Sequence, residues 1–334
     1  MDFLSDVIYL DNNATTRVAP EVVEAMMPAF GPQYGNASSM HTFGGQMGRC
    51  LEEAREKCAA FVNADPSEII FTSCATESDN AAWYSATETQ PEKRHVITTK
   101  VEHSANIAYG HYLEDKGYEV TWLGVDANGR MDLDELDRAI RPDTALVSVM
   151  FANNETGTVF PIEKIAQIVK SHGVQLHVDA VQAAGKEVID LKKLPIDYLA
   201  IAGHKIHAPK GIGLLYLRKG TRFRPFIRGG HQERGRRAGT ENVPYIIGMG
   251  KACELAAAGL REERVRLAAL RDRLQEGLLA AIPDCKINGD QEHRLPNTLN
   301  ISFEAVEGEA LLLQLDQYHI CASSGSACTS GSLE

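Results

Sequence analysis

The sequence predicts an α/β protein: a large domain built on a mostly parallel seven-stranded sheet with helices on both faces, joined to a smaller α+β domain. Three observations lead there. Short apolar runs alternate with helical stretches from Ile69 to Leu217, as expected of strands joined by crossover helices. Near Lys251 the alternation gives way to one long helical stretch. Finally, unusual polar residues collect where the apolar runs end, which in open α/β sheets is the ligand-binding edge. A chain of 334 residues, 44% hydrophobic and 24% charged, has material for one large core and a lesser second one.

The opening VIYLDNNATT reads as a short strand entering a turn, and Pro20 starts a helix through PEVVEAMMPAF. After the glycine-rich GPQYGNASSMHTFGG, the residues Met47, Leu51, Ala54, Cys58, Phe61 and Val62 recur three or four apart. That spacing predicts an amphipathic helix in which Cys58 is core, with Cys50 beside the same stripe. EIIFTS, HVITTK, EVTWLGV, ALVSVMFAN, VQLHVDAV, YLAIAG and GIGLLYL then read as seven strands. Between them, Asp132 caps one helix, and Pro161 and Gly173 bracket the next. The stretch KACELAAAGLREERVRLAALRDRLQEGLLAAI places a domain boundary near residue 260. Residues 16–260 are thus expected to form the large domain and 261–334 the small one, with residues 1–15 packing against the latter. PNTLNISF and EGEALLLQLDQY supply the small domain's elements, and the final ICASSGSACTSGSLE, without a terminal helix, reads as an incomplete end.

A formal net charge of -11 argues against a nucleic-acid or anionic-membrane partner. Arg222, Arg224, Arg228, Arg234, Arg236 and Arg237 nevertheless form one local basic stretch. Asp2 and Asp6 stand where a signal peptide would be basic, and no apolar run is long enough to span a membrane, so a cytoplasmic location is expected. Seven cysteines at irregular gaps, with no C-x-x-C, fit reduced thiols better than a disulfide framework or a zinc site. There is no G-x-G-x-x-G or P-loop and the histidines are scattered, which disfavours nucleotide and metal chemistry.

Asp179 and Lys205 fall at the ends of two apolar runs. They are the pair a pyridoxal phosphate enzyme needs: an amine to hold the aldehyde and a carboxylate to keep the ring nitrogen protonated. Singly, an Asp at a strand end is commonly a helix cap, and a Lys flanked by His204 and His207 is usually solvated. The other strand ends supply Cys74-Ala75-Thr76-Glu77, Glu102-His103, Asn153-Asn154 and, after Asp179, Gln182. A helix start at Thr72–Thr76 suits phosphate but could be a plain Ser/Thr cap. His103 could stack on a ring or simply pack, Asn154 could make an Asx turn, and Gln182 could be a solvated helix residue. Their shared position at one sheet edge is what raises all five. Near the end, Cys328 lies in SSGSACTSG, where small neighbours leave a thiol uncrowded. Such a thiol titrates at about 8.5 unless its surroundings lower it. Cys321 reads as core.

YLDNNATT, FTSCATESDN, VEHSAN, ANNETGT, HVDAVQAAGK, GHKIHAPKGIG, GGHQERGRRAGTEN, RLPNTLNISF and SSGSACTSGSLE together resemble the cysteine desulfurases. These are fold type I, pyridoxal 5'-phosphate-dependent members of the class V aminotransferase group, and the likeness is greatest to the nitrogen-fixation (NifS-like) branch. The resemblance implies that Lys205 forms the Schiff base, Asp179 meets the ring nitrogen, and His103 stacks on the ring and handles protons. Ala75, Thr76, Gln182, Ala202 and His204 would hold phosphate or ring, Asn154 and Asn13 would lie beside ring and substrate, and Thr240 would reach the phosphate from a partner subunit of a homodimer. Cys328 would take the sulfur of L-cysteine as a persulfide, leaving L-alanine, and pass it to an iron–sulfur scaffold or other acceptor protein. No resident metal is implied, although Cys328 could transiently ligate an iron–sulfur cluster. A selenocysteine lyase, an aminotransferase, the housekeeping branch of the family, or a thiol-bearing scaffold without activity are the competing readings.

Overall fold

The computed structural model describes residues 6–324. In chain order its elements are β1 (Ile8–Tyr9), α1 (Pro20–Phe30), α2 (Thr42–Phe61), β2 (Ile69–Thr72), α3 (Ala75–Glu88), β3 (His95–Thr99), α4 (Ser104–Asp115), β4 (Glu119–Leu123), α5 (Leu133–Ala139), β5 (Thr144–Met150) and α6 (Ile162–Ser171). They continue with β6 (Gln175–Asp179), β7 (Tyr198–Ala202), β8 (Gly213–Leu217), α7 (Val243–Ala281), β9 (Cys285–Ile287), β10 (Ile301–Phe303), α8 (Gly308–Gln317) and β11 (Ile320–Cys321).

Among the described residues, seven strands form one sheet in the order β2-β8-β7-β6-β5-β3-β4. Only β8 runs against its neighbours; the other pairings are parallel. Every residue of β2, β3, β5, β7 and β8 is buried, which is why these strands read as continuous apolar runs and not as alternating ones. Helices supply the cover. In α6 the buried residues are Ile162, Ile165, Ala166 and Val169, one stripe of a 3.6-residue period, each large side chain contributing about 2 kcal/mol of burial. Asp132 caps α5 as its position predicts, its Oδ1 accepting from the N–H groups of Asp134 (2.9 Å) and Glu135 (3.3 Å).

α7 departs from the sequence reading. It begins at Val243, not near Lys251, and runs unbroken through residue 260 to Ala281. Its buried residues, Val243 to Cys253, all lie in the first third, where it packs on α1 and α2. The change of composition near Lys251 therefore marks where the helix leaves the core. Beyond it, β9 and β10 form an antiparallel pair, and β11 pairs in parallel with β1, Ile8 opposite Ile320 and Tyr9 opposite Cys321. Strand β9 had no signal in the sequence, and Cys321, expected in the core, is only half-buried.

Candidate active site

The strands β2, β3, β5, β6 and β7 point the same way, so Thr72, Thr99, Met150, Asp179 and Ala202 end on one edge of the sheet. The segments that follow carry the polar residues singled out above. What gathers several of them is the turn after β1. Lys205, half-buried, donates from Nζ to the carbonyls of Asn13 and Ala14, the latter at 2.8 Å. Gln182 Nε2 donates to Asn13 O at 3.0 Å, and Asn13 Nδ2 donates to Asn154 O at 3.1 Å. His204 Nδ1 lies 3.1 Å from Thr15 Oγ1, while His204 O accepts from the Thr16 N–H at 2.9 Å. Burial, reinforced by the charge of Lys205, pushes the His204 imidazole down to about 4, so it acts as a neutral group at ordinary pH.

Asp179 closes β6 almost fully buried, at 6% exposure. Burial pushes its carboxyl up, while the Val181 N–H bonded to Oδ1 (3.0 Å) and the nearby His103 and Lys205 favour the anion. His103 is the N-cap of α4, its Nδ1 accepting from the Ala105 N–H at 3.2 Å. That bond puts the proton of the neutral ring on Nε2. Ala202 is the buried last residue of β7.

The start of α3 shows what could hold an anion. Its N-cap is Cys74, and no side chain caps it, so the plain Ser/Thr cap is not what forms. Ala75 is buried and Thr76 exposed at this open start, where free N–H groups and the helix dipole favour a phosphate. Glu77 is turned backward, accepting from Ser73 N (2.8 Å) and held by Arg237 (2.9 Å). The segment lies directly on β8, where a Cβ at Gly213 would come within 2.7 Å of the Cys74 backbone. Together with Gln182 Oε1, buried with no protein partner among the described residues, this set fits pyridoxal phosphate. An anion cup, a buried acceptor facing a missing donor, a carboxylate and an amine are the contacts such a cofactor requires. A cavity of about 440 Å³ adjoins His103 and Asn154 and is also lined by Lys100, Ser104, Glu155 and Asn288.

Some expectations change in detail. Gln182 is 5% exposed, not solvated. The Asx turn belongs to Asn153, whose Oδ1 accepts from Glu155 N (3.0 Å) and Thr156 N (2.8 Å), and Asn154 contributes its carbonyl. The basic stretch is largely tied down: Arg237 to Glu77, Arg236 to Ser67 O, Arg234 to Glu52 and Arg228 to the Tyr84 hydroxyl. Glu233 in the same loop lies between these arginines, buried and bidentate to Arg55 at 2.8 Å. Thr240 is exposed on the loop leading into α7, and Cys328 lies outside the described residues.

Sequence reasoning missed the buried polar group behind Asp179. His177, two residues earlier on the same face of β6, places Nε2 3.2 Å from Asp79 Oδ1 and Nδ1 2.8 Å from Ser148 Oγ, to which Trp83 Nε1 donates at 3.0 Å. Burial pushes His177 down to about 3 and, with the charges of Asp179 and Glu102, Asp79 upward. Glu102 is likewise raised to about 8. A signal existed: Asp79 shares its helical stripe with Ala75, Ala82 and Ala86, an odd place for an acid.

The family model for aminotransferase class-V matches residues 8–334. The chain belongs to the class-V aminotransferases. This family carries pyridoxal phosphate, and the chain's seven-stranded sheet is that of the fold type I group. A cysteine desulfurase of Trichormus azollae is 62% identical over 328 residues, 98% of this chain and 82% of that protein. The cysteine desulfurase NifS of Azotobacter vinelandii is 56% identical over the same shares. Among solved structures, a NifS-like protein superposes with a TM-score of 0.93 at 44% identity, covering 95% of this chain and 87% of the other. SspA in complex with cysteine does so at 0.85 and 34%, covering 97% and 90%. Among the described residues no helix is long and apolar enough to cross a membrane.

Proposed function

We propose that the chain is a pyridoxal phosphate-dependent cysteine desulfurase. It converts L-cysteine to L-alanine, leaves the sulfur on Cys328 as a persulfide, and supplies it to an iron–sulfur scaffold or other acceptor in nitrogenase-related cluster assembly. The observation that carries this reading is the gathering of Lys205, Gln182 and Asn154 on the Asn13 turn beside the buried Asp179, in a chain 56% to 62% identical to cysteine desulfurases.

When bound, the cofactor supplies an electron sink for the substrate α-carbon. Lys205 would hold it through Nζ and, as a free amine, would take the α-proton of the substrate. Asp179 would keep the ring nitrogen protonated, and the open start of α3 at Ala75 and Thr76 would receive the phosphate, with Thr240 of a second copy completing it in a cytoplasmic homodimer. Gln182, Ala202 and His204 would hold the ring, His103 would pack against it and return protons from Nε2, and Asn154 and Asn13 would border the substrate. The Cys328 thiolate then attacks the substrate sulfur. A sulfur–sulfur bond forms as the carbon–sulfur bond breaks, its electron pair passes to the substrate β-carbon, and protonation there, with return of the proton to the α-carbon, gives alanine.

Cys328→Ala tests the assignment. It is expected to retain the yellow cofactor band and its shift on adding L-cysteine, and to lose persulfide formation and alanine release. Wild-type alanine release by this variant would overturn the assignment of Cys328, and a wild-type chain without a visible band would overturn the cofactor.

A further inference from the structure

Asn13 has every polar atom of its side chain engaged. Nδ2 donates to Asn154 O (3.1 Å) and to Thr298 Oγ1 (2.9 Å), and Oδ1 accepts from Asn297 Nδ2 (2.9 Å). Since a backbone carbonyl can only accept, its presence fixes which end of the amide faces which partner. The main-chain oxygen of the same residue accepts from Gln182 Nε2 and Lys205 Nζ. Through its side chain alone, three distant parts of the chain meet at Asn13: the turn after β1, the loop after β5, and the segment joining β9 to β10.

Thr298 is only 4% exposed, and its methyl side rests on Gly157. There φ is +76°, and a Cβ would come within 2.7 Å of Thr298 Cβ. The glycine lets the two segments touch, so Thr298 has no room to move toward the loop after β5, and its hydroxyl points at a fixed Asn13. A lysine side chain, by contrast, has four rotatable bonds, and its amine rests where acceptors are offered.

We propose that Asn297 and Thr298 are positioning residues for Lys205. By holding the Asn13 amide they fix the carbonyls of residues 13 and 14 to which the Lys205 amine donates when it is not bonded to the cofactor, so that the β9–β10 segment sets where the freed amine stands. The consequence for turnover rests on the desulfurase reading; the linkage itself rests on the hydrogen bonds alone.

Thr298→Val keeps the shape and removes the hydroxyl, Thr298→Ser keeps the hydroxyl, and Asn297→Ala removes the second tie. In the cofactor-loaded protein three quantities are read: amide hydrogen exchange of residues 10–18, the pH midpoint of the visible cofactor band, and kcat and KM for alanine release from L-cysteine. Thr298→Val and Asn297→Ala are expected to speed exchange by about threefold to tenfold, the range for losing one part-buried hydrogen bond. They should also move the band midpoint and lower kcat about fivefold with KM unchanged, while Thr298→Ser stays within about twofold of wild type. Unchanged exchange and midpoint in both variants would overturn the linkage, as would Thr298→Ser behaving like Thr298→Val. A wild-type chain that releases no alanine would instead overturn the desulfurase reading, and exchange would still decide the linkage.

Discussion

Every residue of β5, β7 and β8 is buried, whereas β9 and β10 are partly exposed along their length and none of the ten residues of α8 is buried. Both regions are regular secondary structure, yet they do different work. The large sheet must hold an amine, a carboxylate and an anion cup within hydrogen-bond tolerance of one another, and close packing supplies that fixity. Among the described residues of the C-terminal region, Asn297 and Thr298 bond to the Asn13 turn and Asn288 lines the adjoining cavity, while the rest of that region carries little of the core. Substitutions should therefore be costly in one region and tolerated in the other, with function and stability separable inside the first.

Lys205→Ala should show the largest effect and the cleanest separation. Alanine release is expected to fall by about a thousandfold or more, over 4 kcal/mol of barrier. The thermal midpoint of the cofactor-free protein should move by only about 2 °C or less, because a half-buried amine bonded to two carbonyls contributes little to the core. A matching loss of stability would erase the distinction between function and scaffold. Glu233→Ala reverses the pattern. Removing this carboxylate (7% exposed) leaves Arg55 (5% exposed) with only the half-exposed Glu52 to offset its desolvation. Breaking such a buried pair costs about 3 kcal/mol or more, to be measured by urea unfolding; a change below about 1 kcal/mol would mean that the loop reorganises to rescue Arg55.

Acid should strike the buried sheet through its histidines. His177 and His204 have folded-state values of about 3 and about 4, both below the roughly 6.5 of an unfolded histidine. Between pH 6.5 and 4 these two groups bind more protons in the unfolded chain, so the stability they contribute above pH 6.5 is lost as pH falls through that window, against the opposite contribution of the raised carboxyls of Glu102, Asp79 and Asp179. His204→Gln should reduce proton uptake on unfolding at pH 5 by about one, lowering the slope by about 1.4 kcal/mol per pH unit. An unchanged slope would show that His204 is protonated in the fold. The smallest effect belongs to the other region: Leu313 in α8 is 69% exposed, and Leu313→Ala should change stability by less than about 0.5 kcal/mol. A larger loss would mean that α8 is covered in the assembled protein.

The sheet was legible because its signals are local. Continuous apolar runs and a capped α5 need no knowledge of what lies across the molecule. Asp179 and Lys205 stood out for the same reason, since a polar residue ending an apolar run is visible in a window of ten. What stayed hidden depends on contacts between distant segments. Nothing near His103 in sequence says that it caps α4 from Nδ1, and Asn153 and Asn154 are indistinguishable until the turn is built. The start of α7 was misplaced because its buried first turns, VPYIIGMG, carry a proline and two glycines and lack the charged face that marks the rest. The Asp79–His177 contact joins a helix and a strand separated by three crossovers, beyond the reach of any periodicity. Cys328, the residue on which the chemistry turns, was read from composition and resemblance alone.

The pairing of β1 with β11 has a consequence for how the protein is made. Ser323 Oγ donates to Asp11 Oδ1 at 2.8 Å, two residues 312 positions apart, and the Ile8–Ile320 pairing is just as remote. On a ribosome adding 5 to 20 residues per second, β1 emerges roughly 15 to 60 s before its partner. For most of that interval the Asn13 turn has no Asn297 or Thr298 to hold it, so the amine site is finished only after the sheet that carries it. The waiting strand is two residues long with Asp6 and Asp11 close on either side, a short and charged edge that offers a neighbouring nascent chain little to pair with.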